Sequence, residues 1–548
     1  MSRQRWGTMA AVAAISFCTG GWLVQRGIAA DGGTYQQARL FDDVLNHVSA
    51  YFVDSIPESE LYKRASNGML ESLKDPYSSL LVDDDYKALT ESTTGNYAGL
   101  GIQIDVRDGY ITVVAPLPET PAERAGIETG DRIVEVDGKS TESWKNDQAV
   151  KALRGAPGSK VAIRVLRAST SQAVVFNMTR ATIHLKSVPT GTMFDGGVGY
   201  ISLNPVAETS ALELNAEVTQ MRAKGMKAMI LDLRRNPGGL LDQGVKVTDL
   251  FLDPGQSIVA TRGRARGSSR GFKDGAAQAW PDMPIVTLVD EGTASAAEII
   301  SGALQDHDRA VVVGTPTFGK GLVQTLFPIG EGVALKLTTA RWFTPSGRTI
   351  QRVAKDQEEQ VLQAYAEAGV LADSVKPKTD TSLAARPIFT TDAGRKVRGG
   401  GGIVPDVIVK QDTLTVGERE LVRAFGEKLG VYRDVLTAYA IALKEQKRVP
   451  NEQFTVTAAM RGEAIARMAA KGLTLDPAVV ARGGSLIDQQ LGYEIARYVF
   501  GRQAEFRRRN ADDPQMQAAL GLLRKANSPR DLLALAASSS GSAPKAMN

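Results

Sequence analysis

The chain has 548 residues, with 65 Lys+Arg against 61 Asp+Glu, three His and one Cys. At about 100–200 residues per domain, that length predicts several units and ample buried core. A net charge of +4 supplies no concentrated basic face for nucleic acid. A single Cys excludes an intramolecular disulfide and any Cys-based structural zinc site. Only His47, His184 and His307 are available to a histidine-dependent mechanism.

The N-terminus carries two arginines in Met1–Arg5, and residues 7–24 then run without a charge. A basic start before an apolar run reads as a secretory signal or an uncleaved membrane anchor. Ile28-Ala29-Ala30 offers a cleavage point with a poor match at Ile28, and Phe17 before Cys18 argues against a lipoprotein. The expectation is an exported chain in the bacterial envelope, held by residues 7–24 within a segment 1–30. An otherwise cysteine-free sequence needs no oxidation to fold there.

Residues 35–92 read as helical. Leu40, Val44, Val48 and Phe52 recur at helical spacing, Leu61–Leu73 repeats the pattern, and Asp75-Pro76 breaks it. Residues 95–168 change character, with short β-type runs between Gly and Pro turns. Residues 173–410 alternate strand-like and helical stretches, which predicts a layered α/β core. Ala334–Thr339 is read as part of that core, and 352–397 as an insertion with a charged helix at Asp356–Glu367. Residues 413–537 are helical by period, and 538–548 form a polar tail expected to be disordered. No fixed-period repeat is present.

The β-rich segment opens with Gly99-Leu100-Gly101-Ile102. A glycine-flanked turn can aim successive backbone N–H groups at one carboxylate, and the strand after it leaves an edge for a peptide to join. Thr120-Pro121 through Gly126, Gly130-Asp131 and Asp137-Gly138 follow in order. Together these resemble a PDZ domain of the bacterial arrangement. The resemblance implies recognition of a C-terminal tail by strand addition, with a helix at Asn146–Leu153 as the other wall. Arg154, at the end of that helix, is a candidate sensor of ligand or catalytic domain, and equally a solvated helix-end cation.

Two segments carry chemistry. In Asp290-Glu291-Gly292-Thr293-Ala294-Ser295-Ala296-Ala297-Glu298, a strand ends and a helix begins, so Ser295 meets helix N–H groups that favour negative charge. Read alone, it is a helix-cap serine. Gly314-Thr315-Pro316-Thr317-Phe318-Gly319-Lys320 matches G-x-x-x-x-G-K, but Gly321 replaces the Ser or Thr a phosphate loop requires. A serine nucleophile needs a base, and none of the three histidines is well placed in sequence. Gly-x-Ser-x-Gly is also absent. A lysine serves if burial leaves it neutral, and Ser-Lys pairs are a variant of triad logic. Lys320 sits among glycines, and the amide of Gln324 can orient it. Asp232-Leu233-Arg234-Arg235-Asn236-Pro237-Gly238-Gly239 offers bare N–H groups at Gly238 or Gly239, to join that of Ala296 at an oxyanion.

In this order and spacing, the segments resemble the C-terminal processing, or tail-specific, proteases of serine peptidase family S41. Trp342-Phe343-Thr344-Pro345-Ser346-Gly347-Arg348 and Gly402-Ile403-Val404-Pro405-Asp406 add two motifs, and Gly68–Pro76 fits the N-terminal helices. The resemblance covers about residues 35–410. It implies an α/β multidomain chain: N-terminal helices, a PDZ domain, a protease core of the crotonase/ClpP type and a C-terminal helical extension. It also implies a serine endopeptidase acting near protein C-termini through Ser295, Lys320 and Gln324. No metal, cofactor or nucleic acid is called for. Expected partners are substrate tails, the membrane, other copies of the chain, and an adaptor or activator. Two rivals remain at this point: a PDZ scaffold that delivers tails to another protease, and an acyl-CoA enzyme built on the same kind of core.

Overall fold

The computed structural model describes residues 35–107, 109–167, 173–189, 191–352 and 386–540. The segment 7–24, expected to be a signal or anchor, and the charged helix expected at Asp356–Glu367 lie outside the described residues. The chain divides into two compact units, Met1–Tyr86 with Gln324–Thr338, and Lys87–Val323 with Thr339–Asn548.

In the first unit, helix α1 (35–51) and α2 (Glu58–Ser72) follow the helical period. Their apolar residues are not a core stripe. Leu40 is 65% exposed and Val44 53%. The reading of 35–92 as helices broken only at Asp75-Pro76 needs one correction. β1 (Ser79–Val82) is a strand, antiparallel to Val333–Lys336, because that edge offers its backbone a ladder after the Asp75-Pro76 break.

The boundary between the units falls within α3 (Asp84–Thr94), and in the second unit this helix leads into β2 (Asn96–Gly99). A β module follows, built of β3 (Ile102–Arg107), β4 (Tyr110–Pro116), α4 (Pro121–Ala125), β5 (Arg132–Val136), β6 (Lys139–Ser140), α5 (Asn146–Leu153), β7 (Lys160–Leu166) and β8 (Val174–Thr179). Its sheet runs β3-β4-β5-β7-β8, so β3 is an edge strand. Period-two burial drives the packing: Val161, Ile163 and Val165 of β7 face a core shared with Ile111, Val113 and Ile133. The chain leaves through β9 (Ala181–His184), which pairs antiparallel with β2, so entry and exit form one ribbon.

The α/β core follows. It comprises β10 (Thr192–Phe194), β11 (Val198–Ser202), α6 (Ser210–Ala223), β12 (Ala228–Asp232), α7 (Leu241–Asp249), β13 (Ser257–Gly263), β14 (Arg270–Lys273), β15 (Ile285–Val289), α8 (Ala296–Asp306) and β16 (Val311–Gly314). β17 (Leu322–Gly330), β18 (Val333–Phe343), β19 (Ile388–Thr390), β20 (Lys396–Arg398) and β21 (Val407–Ile408) come next. The main sheet runs β10-β11-β12-β15-β16-β21, parallel from β11 onward. Its central strands are buried along their whole length, as an apolar strand covered on both faces must be. Helices α6, α7 and α8 pack on one face. Ala334–Thr339 does not continue this sheet. β18 is only half-buried along much of its length, and it pairs with β1 and, at Ala340–Phe343, with β13.

The other face of the sheet is covered by the C-terminal extension: α9 (Val416–Phe425), α10 (Leu429–Glu445), α11 (Ala458–Ala470), α12 (Pro477–Ile495), α13 (Arg502–Ala511), α14 (Pro514–Leu523) and α15 (Pro529–Ser540). The first four helices share a core around Phe425, Tyr439, Leu443, Ile487 and Leu491. Met516, Leu520, Leu523 and Leu532 of α14 and α15 close over Ile230, Val286, Leu288 and Val313 of the sheet. Ser538 and Ser539 stand in helix rather than in a tail, because Leu532 and Ala536 hold α15 against the sheet; their hydroxyls bond back to the Leu535 carbonyl. Residues 541–548 lie outside the described residues.

The extension is therefore structural to the core. Leu520→Ala leaves a cavity against the sheet, and the expected cost is about 2–4 kcal/mol, read as a lower denaturant midpoint. An unchanged midpoint contradicts this packing.

Candidate active site

Three loops leave the carboxyl ends of three neighbouring parallel strands, β12, β15 and β16. In open α/β sheets that end is where ligand sites form. The first loop carries Gly238 and Gly239, the second Ser295, and the third Lys320.

Backbone and side-chain hydrogen bonds stitch the loops together. Ala294 N–H donates to the Asn236 carbonyl at 2.9 Å, and Phe318 N–H to the Thr293 carbonyl at 3.0 Å. Arg235 N–H donates to Asp290 Oδ1 at 2.8 Å, and Thr293 Oγ1 to the Leu233 carbonyl at 2.8 Å. Trp342 Nε1 donates to the Lys320 carbonyl at 3.0 Å. Ile403 N–H donates to Thr317 Oγ1 at 2.7 Å. The two distal motifs thus buttress the lysine loop.

Glu298 is the centre of this network. It is fully buried on α8, and its carboxylate accepts four hydrogen bonds. Oε1 takes Thr317 Oγ1 at 2.5 Å and Gly319 N–H at 2.7 Å, while Oε2 takes Ser295 N–H at 2.8 Å and Lys320 N–H at 2.9 Å. Burial pushes the Glu298 carboxyl up from the ordinary range, and those hydrogen bonds work against that shift. One oxygen therefore binds the backbone of both Ser295 and Lys320. The sequence reading assigned Glu298 no role. Its signal was the serine three residues earlier, the spacing of a capping box, which foretells the bond to Ser295 but not the reach to Lys320.

Ser295 is half-buried at the N-cap of α8, with φ 54° and ψ −119°. L-residues rarely adopt this conformation, and it persists only where the surroundings impose it. Gly238 crosses close by, with φ +90°. A Cβ there would lie 2.7 Å from Ser295 Cβ and 2.8 Å from Ala296 N. The Ala294 carbonyl oxygen is nearer still, at 2.6 Å, so only glycine lets the two backbones pass this closely. Between the two glycines the roles differ. Gly238 N–H donates to Asn236 Oδ1 at 2.8 Å, whereas the N–H groups of Gly239 and Ala296 make no hydrogen bond among the described residues.

Lys320 is half-buried. The N–H groups of Gly319 and Lys320 serve a carboxylate, so the loop is not arranged to wrap phosphate. Gln324 stands on β17 in the other unit, where its amide donates to Thr338 Oγ1 at 3.4 Å. His307 bonds Asp392 and the Ser257 carbonyl, His184 bonds Asn96 and Glu213, and His47 bonds the Asp43 carbonyl. None of these partners is Ser295.

In the β module, Leu100 is buried, and Gly101 has φ +75° with Thr120 against it. An added Cβ there would fall 2.3 Å from Thr120 Cβ, so only glycine fits. The N–H groups of Leu100 and Gly101 make no hydrogen bond among the described residues, and Ile102 begins the edge strand β3. Arg154, at the C-cap of α5, pairs with Glu91 of α3 at 2.6 Å and lies 5.1 Å over the Tyr97 ring of β2. It thus meets the elements that lead into the Gly99–Ile102 turn.

Residues 197–359 match peptidase family S41, and residues 89–166 match the PDZ domain. A carboxy-terminal-processing protease of Bartonella bacilliformis is 39% identical over 324 residues, 58% of this chain and 74% of that protein. The carboxy-terminal processing protease CtpA of Bacillus subtilis is 34% identical over 336 residues, 61% of this chain and 71% of that one. A solved photosystem II D1 C-terminal processing protease is 28% identical, with a TM-score of 0.33, covering 57% of this chain and 83% of its own.

The strain at Ser295 is testable. Ser295→Gly relieves it and Ser295→Ala does not, so the glycine variant is expected to be the more stable by about 1 kcal/mol in chemical denaturation. An alanine variant of equal or greater stability contradicts an imposed backbone.

Proposed function

Because the chain belongs to peptidase family S41, as a carboxy-terminal processing serine protease with a PDZ domain, we propose that Ser295 is its nucleophile and Lys320 its base. The observation that carries the reading is the Glu298 carboxylate, bonded at once to the N–H of Ser295 and the N–H of Lys320.

In the proposed reaction, neutral Lys320 takes the hydroxyl proton as Ser295 Oγ attacks the scissile carbonyl. The tetrahedral oxyanion is bound by the N–H group of Ala296, at the start of α8, and by that of Gly239. Protonated Lys320 gives its proton to the leaving amine as the C–N bond breaks. A water then attacks the acyl-enzyme, with Lys320 again accepting a proton, and the carboxylate product frees Ser295. Gln324 completes the set by its four-residue spacing from Lys320. The N–H groups of Leu100, Gly101 and Ile102 take the carboxylate of a substrate tail, and the tail adds to the free edge of β3. Arg154 reports that occupancy to α3 and β2.

Export to the envelope and anchoring by residues 7–24 belong to the same proposal, as do assembly with other copies and action with an adaptor. Among the described residues no helix is long and apolar enough to cross a membrane. The exposed apolar residues of α1 support contact with another copy, which light scattering would detect as a mass above that of one chain.

The test compares wild type with Ser295→Ala and Lys320→Ala on an unfolded protein, with products read by mass spectrometry. Wild type is expected to cut, while both variants stay folded and lose at least about a thousandfold in kcat/KM. A folded Lys320→Ala enzyme of wild-type rate overturns the base assignment. The reaction needs the neutral amine, so kcat/KM rises from neutral to alkaline pH. A flat profile contradicts a lysine base. Gly238→Ala drives a Cβ against Ser295 and the Ala296 N–H, and a loss of about a hundredfold or more in kcat/KM is expected.

A further inference from the structure

The helical extension reaches both the peptide edge of the PDZ domain and the residues just before the oxyanion segment: α10 and α13 touch β3, while Phe506 of α13 and Asp513 beyond it touch Tyr200 and Arg234. At the start of α13, the Arg502 guanidinium donates to Gln103 Oε1 of β3. From α10, Arg433 pairs with Asp105 of the same strand at 3.2 Å. Midway along α13, the Phe506 ring packs on Tyr200 with centroids 4.7 Å apart, and Tyr200 donates to Asp232 at 2.9 Å. Just beyond its end, Asp513 Oδ2 binds Arg234 at 2.6 Å, while Asp513 Oδ1 caps α14. Arg234 also clamps Asp232 at 2.7 Å and is followed directly by the segment Arg235–Gly239.

Ten residues of helix, roughly 15 Å at the standard rise, thus connect the two places. Gln103 and Asp105 stand two apart on β3, one face of the strand, while Ile102 and Ile104 pack toward the PDZ core. The two ends of the link are unequal. The Arg433–Asp105 side chains are 57% and 35% exposed, so that pair is easily broken. The Arg234–Asp513 side chains are 15% and 21% exposed and share a network with Asp232 and Gln515, so that end stays tied.

We propose that the extension couples occupancy of the PDZ edge to the oxyanion segment, with α13 as the rigid link between β3 and Arg234. A peptide with a free C-terminal carboxylate, added along β3, shifts the strand that Arg502 and Arg433 hold, and α13 transmits the shift to Arg234. The ligand class is an extended peptide tail that ends in a free carboxylate. The inference rests on the protease and PDZ readings above, and it assigns the extension their coupling.

The test uses the full chain and a decapeptide ending in Leu-Ala-Ala, with a free carboxylate or as the amide. Four things are measured: peptide affinity by fluorescence anisotropy, hydrogen exchange of residues 232–240 and 502–513 in the Ser295→Ala chain, kcat/KM on a quenched substrate carrying either tail, and the same three readouts in Arg433→Ala/Arg502→Ala. In wild type the free tail is expected to change exchange in both segments and to raise kcat/KM about tenfold over the amide. In the double variant the exchange change is lost and the ratio falls below about threefold, while affinity stays within about twofold. A double variant that keeps the wild-type ratio and exchange change overturns the coupling. So does a wild type indifferent to its tail. Failure of wild type to bind the free-carboxylate peptide overturns the PDZ reading and the coupling with it. Cleavage by Ser295→Ala at the wild-type rate overturns the nucleophile alone, and the exchange readout then still decides the coupling.

Discussion

The Glu298 carboxylate, without contact with water, holds the site together. A buried charge is tolerated only where its lone pairs are fully used. Here the donors come from two separate loops: Ser295 on one side, and Thr317, Gly319 and Lys320 on the other. Twenty-two residues separate Glu298 from Lys320, and a single side chain removes that distance. The same contact holds Ser295 at φ 54°, a backbone state a free chain would leave.

Everything around the carboxylate serves to keep it dry and immobile. The parallel strands β12, β15 and β16 end side by side and aim three loops at one place. Helices α6 to α8 seal one face of the sheet, and α14 and α15 the other. Trp342 and Ile403, from motifs distant in sequence, press on the loop that carries Lys320. Arg234 ties the glycine-bearing loop to the extension through Asp513. A site whose parts hang on backbone N–H groups needs this scaffolding, because shifts of a fraction of an ångström cost large factors in rate.

Much of this was legible in the sequence, for identifiable reasons. Ser295 and Lys320 stood out because small-residue turns followed apolar strands, and both turns do lie at the carboxyl ends of neighbouring parallel strands. The PDZ module was legible from its ordered glycines, and Gly101 illustrates why: no other residue fits against Thr120. What escaped was set by tertiary contact. β1 looked helical because its neighbours are, and only the edge at Val333–Lys336 makes it a strand. Ala334–Thr339 looked like core because a half-buried strand and a fully buried one share an apolar run. Gly238 and Gly239 were equivalent in sequence, and only the Asn236 side chain distinguishes them. Glu298 presented itself as a cap, and its second partner lies on another loop.

The claim that one carboxylate positions both nucleophile and base is tested most directly by the reactivity of Ser295. The rate of labelling by a fluorophosphonate would be measured in wild type, Glu298→Gln, Lys320→Ala and the double variant, each confirmed folded by circular dichroism. An amide at 298 turns one acceptor into a donor facing N–H groups, so labelling is expected to fall by about a hundredfold or more. The double variant is then no slower than the slower single one, because the two residues act as a unit. A folded Glu298→Gln protein that labels at the wild-type rate would contradict the account.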